Sequence, residues 1–262
     1  MSAITTLDLT PRPGAAPLHR MVLAQAGAEI RAMLRNGEQL LLTMIIPVLL
    51  LAGFSAAPLV DVGGGRRVDF VAPGILALAV MSTAFTGQAI ATGFERRYGV
   101  LRRLGATPLS RMGLLLAKTV AVVAVEALQV VVITVVALAL GWSPHGGPSL
   151  GALWAVPLLL LGTAAFSGLG LLMAGTLRAE ATLAGANLVY LVLLGLGGVL
   201  FPLDRFPGGV RQVLELLPIS ALTSGLRAVL SDGGGFPGGP LLVLLCWAVA
   251  ALALAARTFR WE

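Results

Sequence analysis

The run MGLLLAKTVAVVAVEALQVVVITVVALAL, Met112 to Leu140, holds only two charges, Lys118 and Glu126. A helix rises about 1.5 Å per residue, so about 20 apolar residues cross about 30 Å of hydrocarbon. This run is longer than that, and it either tilts or projects past the lipid at its inner end. No water-soluble domain buries an unbroken apolar helix of this length on every side. The reading is therefore a membrane span, and the rest of the chain is read around it.

Five further segments qualify as spans, giving six near 39–60, 71–94, 112–140, 151–176, 182–201 and 240–256. The last starts after Pro240 and stops at Arg257. Composition agrees, with 57% hydrophobic and only 11% charged residues in 262 against roughly 25% charged in soluble domains. The fold class expected is all-α and polytopic, with six transmembrane helices. The domain plan is a disordered tail over 1–18, an interfacial amphipathic helix over 19–38, a six-helix membrane domain over 39–256 and a short tail over 257–262.

Net charge is +6 and every basic residue except Lys118 is arginine. The arginines flank apolar runs, as orientation signals do, and no basic domain large enough for nucleic acid is present. With the N-terminus inside, twelve arginines fall on inner segments and five on outer ones. Both termini are expected in the cytoplasm, and the protein in the cell membrane. The first residues carry Pro11, Pro13 and Pro17 and no early apolar core, so no secretory leader is expected.

Three stretches outside the spans carry information. Over 19–37, Val22, Leu23, Ala26, Ile30, Met33 and Leu34 recur at helical spacing, with Arg31, Arg35 and Glu38 on another side. That pattern fits a helix lying on the inner membrane surface, or a plain solvated leader. Between spans two and three runs Glu95-Arg96-Arg97-Tyr98-Gly99-Val100-Leu101-Arg102-Arg103-Leu104-Gly105. Tyr98, Leu101 and Leu104 are three apart and ringed by arginine, which suits a short helix docking into a groove on a soluble partner. The plainer alternative is a positive-inside loop that only fixes topology. Thr107 then reads as the N-cap of span three, with Pro108 at its first position. Between Pro202 and Pro240, Val210, Val213, Leu214 and Leu217 precede a break at Pro218, followed by Ile219, Leu222, Leu226 and Val229. Two short helices at the outer leaflet fit, either dipping back into the membrane or lying flat.

Within the spans, Glu126 lies mid-helix, where a charge costs at least about 2.5 kcal/mol unless it faces the bundle interior or is protonated. Gln129 is one turn on, and Gln88 and Asn187 are further buried polar candidates. These four line a pathway or gate, or else only bond helix to helix. Ala164 and Gly168, and Gly170 and Ala174, are small residues four apart, which permits close helix contact.

The loop from Phe94 to Arg111, followed by Leu114-Leu115-Leu116-Ala117-Lys118, resembles that of ABC-2 type exporter permeases, most of all the drug-resistance and daunorubicin-exporter-like branch. Phe201-Pro202-Leu203-Asp204-Arg205-Phe206-Pro207, Leu217-Pro218 and Gly225-Leu226-Arg227 resemble that family's segment before the last span. The resemblance covers about 20–256. It implies half of a dimeric pore, paired with itself or a related permease, whose ATP and magnesium are bound by separate ATPase subunits. It also implies that Glu95, Arg96, Arg97, Tyr98, Gly99, Leu101, Arg102, Arg103 and Leu104 form the coupling helix. Leu23, Ile30, Arg31, Leu34 and Arg35 would belong to an interfacial helix that also contacts the ATPase. The cargo class implied is amphipathic or hydrophobic, such as a drug, antibiotic, lipid or glycolipid. The short loop near Leu177 to Ala181 departs from this plan, offering little extra docking surface.

The chain itself shows no nucleotide site. A phosphate-binding loop needs two glycines ahead of Lys-Ser/Thr, and before Lys118-Thr119 those positions are Met112 and Ala117. No hydrolase motif, no paired intramembrane acids and no metal-ligand spacing occur; Cys246, His19 and His145 lack companions. Catalysis by this chain is not expected, and it binds no cofactor or metal of its own on this reading. The rival function is an ion- or proton-coupled carrier, for which Glu126 is the one ionisable relay; a non-transporting assembly or anchoring protein is a third.

Overall fold

The computed structural model describes residues 14–56, 66–144, 147–200, 202–231 and 235–259. Eleven α-helices are assigned among them: α1 Leu18–Arg35, α2 Gly37–Ala56, α3 Arg67–Val80, α4 Gln88–Arg97, α5 Val100–Gly105, α6 Arg111–Ala139, α7 Gly147–Thr176, α8 Ala179–Leu196, α9 Gly208–Glu215, α10 Pro218–Leu230 and α11 Gly238–Thr258. A π-helical stretch, Met81–Gly87, joins α3 to α4, so that Arg67–Arg97 runs as one long apolar rod. No strand occurs among the described residues.

Among the described residues, five segments are long and apolar enough to cross a membrane: Arg67–Arg97, α6, Leu153–Thr176 within α7, α8 and α11. The expected first span, 39–60, falls on α2, 20 residues long, in which Thr43–Ala56 is an apolar helix among the described residues. The expected remainder, 57–60, lies outside the described residues, as do 1–13 of the expected N-terminal tail, the side chain of Glu38 and residues 260–262.

The chain is a packed all-α membrane bundle. Arg67–Arg97 is its centre, buried over most of its length. α7 packs most heavily on α11, and α10 fills the space among α3, α7 and α11. The helices α9 and α10 meet at 89°. α10 is inserted, with Ile219, Leu222, Leu226 and Val229 buried. α9 lies across its end with Val210 and Val213 bare. α10 is thus enclosed by the bundle, whereas α9 is exposed. Pro218 at the start of α10 accounts for the break, since proline at a first helical position disfavours continuation from the residue before it.

Arg227 of α10 fastens this end of the bundle. Its Nε donates to Phe70 O at 3.2 Å, Nη1 to Gly198 O at 2.7 Å and Nη2 to Val199 O at 2.8 Å. The guanidinium also lies 3.6 Å from the centroid of the Phe70 ring. Lysine keeps the charge but lacks the planar fork that reaches three carbonyls and a ring together. Arg227→Lys is expected to destabilise the protein by about 1–3 kcal/mol, the worth of one or two hydrogen bonds to a charged group. Thermal unfolding of the purified protein checks this; an unchanged midpoint would show the clamp to be idle.

The N-cap of α6 is Ser110, not Thr107. Its side chain accepts from Gly113 N at 3.1 Å, three residues into the helix. Thr107 instead donates to Leu104 O at 2.6 Å and closes the end of α5. The residue before a proline is held away from helical backbone, so Thr107 ends one helix while a second capping residue three positions on starts the next.

Candidate coupling site and polar interior

The arginine-rich segment folds as a helix end, a turn and a short helix. Glu95, Arg96 and Arg97 complete the last turn of α4, and Tyr98-Gly99 turn the chain with Gly99 at φ 72°. That left-handed backbone favours glycine, and it separates the expected single helix into two. Tyr98 therefore does not share a face with Leu101 and Leu104. Leu101 is fully buried beneath Leu109, Leu114, Leu115, Leu171, Ala255 and Phe259. The surface that the turn and α5 present outward is Tyr98, 69% exposed, with Val100, Arg102 and Arg103. Tyr98 stacks on Phe94, ring centroids 6.0 Å apart.

Arg96 and Arg97 face the turn between α7 and α8. Arg96 donates to Leu177 O, and Arg97 pairs with Glu180 at the start of α8. The short connection between α7 and α8 thus braces the root of the α5 hairpin.

On the other side stands a buried ion cluster. Lys118, 4% exposed, places Nζ 2.6 Å from Glu95 Oε2 and 3.0 Å from Glu29 Oε1. Gln25 Nε2 donates to Glu29 at 2.9 Å. One lysine of α6 so ties α1 to the end of α4. Read alone, Lys118 is a stray charge in an apolar run and Glu29 goes unremarked. The rule that an ionisable residue inside a membrane has a partner was the available signal, but it does not say which carboxylate answers.

The cluster also explains the orientation of α1. Met21, Val22, Gln25, Ala26, Glu29 and Met33 turn toward the bundle, and α1 lies along α6. The expected single apolar face is in fact two. Leu23 and Leu34 are exposed at 61% and 48%, with Ile30 half-buried between them. Arg31 and Arg35 are exposed beyond that strip, Arg31 Nε donating to Gly27 O at 3.0 Å.

Three of the four expected interior polar residues meet along α6. Glu126 is 5% exposed and accepts from Thr163 Oγ1 of α7; its Oε1 has no partner among the described residues. Gln129 accepts from Thr83 Oγ1 of the π-helical stretch at 2.9 Å and donates to Thr43 O of α2 at 3.0 Å. Gln88 accepts from Ser167 Oγ at 2.7 Å, and Ser167 shares a 2.8 Å hydrogen bond with Thr119. Asn187 does not join them. It sits exposed on α8 and donates to Leu183 O at 3.0 Å. α8 meets the bundle through Ala179, Thr182, Ala186 and Leu193, and Asn187 is about 100° round from Ala186. No group of His, Cys, Asp and Glu able to hold a metal occurs among the described residues.

A family model for the ABC-2 type transporter matches residues 22–231, from α1 through the end of α10. The chain belongs to the ABC-2 type transporter family. The matched region contains the α5 hairpin, the Glu29–Lys118–Glu95 cluster and the polar seam of α6. No curated protein matches the sequence. As an ABC-2 type transporter with at least five helices fit to span a bilayer, the chain is an integral membrane permease.

Proposed function

We propose that this ABC-2 type permease is the membrane half of an ATP-driven exporter in the cell membrane, coupled through α5 to a separate ATPase that binds ATP and magnesium. One observation carries the reading: α5 turns Tyr98, Val100, Arg102 and Arg103 outward while Leu101 is rooted in the core shared by α6, α7 and α11. A push on that knob moves the ends of three long helices at once. The arginines that flank the rods support a cytoplasmic side for α5 and both termini, with α2 as the sixth span. The bare strip of Leu23, Ile30 and Leu34, edged by Arg31 and Arg35, rests α1 on the inner leaflet. Two copies pair about a two-fold axis. The likeness to the drug-resistance and daunorubicin-exporter-like branch supports an amphipathic or hydrophobic cargo: a drug, antibiotic, lipid or glycolipid.

The test is affinity purification of the full chain from its native membrane, with ATPase activity and mass spectrometry read on the eluate. An ATP-binding-cassette ATPase is expected to co-purify. Arg102→Glu with Arg103→Glu is expected to reduce its recovery about tenfold or more, since like charges brought together at an interface cost several kcal/mol. Val100→Cys in a Cys246→Ser background should react with a membrane-impermeant maleimide only from the cytoplasmic side. Labelling from outside would end this reading. Glu126 separates it from the ion-coupled alternative: ATP-dependent transport is expected to survive Glu126→Gln, whereas transport that needs no ATPase and dies with that change would establish a carrier.

A further inference from the structure

Beside the ion cluster lies a cavity of about 330 Å³ between α1, α4 and α6, walled by Glu29, Gln88, Thr92, Phe94, Glu95 and Lys118 with Tyr98 at its rim. Three features of its wall point to one kind of ligand. The first is charge. Among the described residues, the charged lining is two glutamates and one lysine, leaving one negative charge in excess. Lys118 engages Glu29 Oε1 and Glu95 Oε2. Among the described residues, the second oxygen of each carboxylate has no protein donor. The second is a pair of unanswered polar atoms. Gln88, 4% exposed, has Nε2 without a hydrogen-bond partner, and Thr92, fully buried, has Oγ1 in the same condition. They lie one turn apart on α4, on the face lining the cavity. Buried donors left unmade are costly, and these two call for an oxygen acceptor. The third is the stacked Phe94–Tyr98 pair, whose ring faces attract an organic cation.

We propose that this cavity binds the headgroup of a primary-ammonium amphiphile. The ammonium sits between the free oxygens of Glu29 and Glu95 near the aromatic pair, and an oxygen a few bonds away accepts from Gln88 Nε2 and Thr92 Oγ1. The volume is at the small end for ligand sites, enough for a headgroup while the apolar tail stays in lipid. Carboxylate oxygens want N–H donors, so a primary ammonium is preferred over a trimethylated one. A membrane phosphatidylethanolamine and a free amphiphilic amine offer the same chemistry. The inference does not depend on whether a motor docks on α5.

The full chain, purified in detergent, is titrated by native mass spectrometry with phosphatidylethanolamine, phosphatidylcholine and phosphatidylglycerol of identical acyl chains. A second arm uses dodecylammonium against dodecanol. At least one ammonium probe is expected to bind about tenfold tighter than its controls, the worth of one charge-assisted hydrogen bond. Preference in the first arm alone identifies a lipid site, in the second alone a site for free amines, and mutual displacement one site serving both. Glu29→Gln is expected to remove most of the preference. Because Glu29 also serves the ion cluster, Thr92→Val, which touches no ion pair, is the second variant and should reduce it about threefold or more. Equal binding of probes and controls, or an undiminished preference in Thr92→Val, overturns the proposal and leaves a void filled by acyl chain.

Discussion

Lys118→Met is expected to cost about 3–5 kcal/mol of stability, the usual effect of removing one partner from a buried ion pair. The two carboxylates it leaves belong to different helices, Glu29 to α1 and Glu95 to α4, and both now point at an apolar side chain. They repel each other and lose the tie that holds α1 to the root of the α5 hairpin. The apparent midpoint of heat-induced aggregation, followed by fluorescence-detected size exclusion, should fall by on the order of 10 °C. The triple change Lys118→Met, Glu29→Gln and Glu95→Gln separates lost charge balance from lost packing. Neutral groups of the same shape often replace a buried ion network at little cost, so the triple variant should recover most of the midpoint. A single variant within about 1 kcal/mol of wild type would mean that water reaches the cluster freely.

The fate of Lys118 illustrates what a sequence in lipid does and does not disclose. α6 was legible because its run of apolar residues has no other physical home. Its partners were not, because Glu95 and Glu29 approach from distant points in the chain and no local pattern selects them. The facing of helices was harder still. In water an apolar stripe marks the buried side. In lipid both sides are apolar, and the packed side is distinguished by small and polar residues instead. α8 follows this rule: Ala179, Thr182 and Ala186 face the bundle, while Leu188, Leu191 and Val192 are bare. Polarity alone puts Asn187 inside; the stripe of small residues beside it is the better guide. α1 misleads in the same way, since Leu23 and Val22 fit one apolar pattern although they are about 100° apart.

The hairpin at α5 shows a different limit. Gly99, three residues before Arg102, is a helix-breaking signal. Treating Gly99 as an ordinary helical position joined Tyr98 to Leu101 and made both docking residues. The turn at Gly99 gives them opposite duties: Leu101 anchors, Tyr98 presents. A coupling element needs both, because a surface that binds a partner but is not fixed to the rods transmits no force.

Gly168→Val is expected to be at least as damaging as any single packing change in the bundle. A Cβ on Gly168 would come to 2.8 Å from Ala251 Cβ and 2.8 Å from Leu252 N, and one on Gly170 to 2.8 Å from Phe85 O and 3.1 Å from Ala84 O. Two residues apart on a helix means roughly opposite sides, so α7 is pinched between α11 and the π-helical stretch by these two glycines. Overpacking costs about 1–3 kcal/mol when side chains can yield; here the obstacle includes the backbone of α11, and about 3 kcal/mol or more is expected. The discriminating comparison is Gly168→Ala with and without Ala251→Gly. Trimming Ala251 removes one of the two nearest contacts but leaves Leu252 N in place, so rescue of the unfolding midpoint should be partial. Full rescue would show the clash to be one of side chains alone. The consequence reaches the end of the bundle where Leu171 of α7, Ala255 of α11 and Phe259 just beyond it help to form the pocket that holds Leu101. A bundle spread at Gly168 should therefore loosen the seat of α5, and, on the coupling proposed above, recovery of the co-purifying ATPase should fall further than the amount of folded protein does.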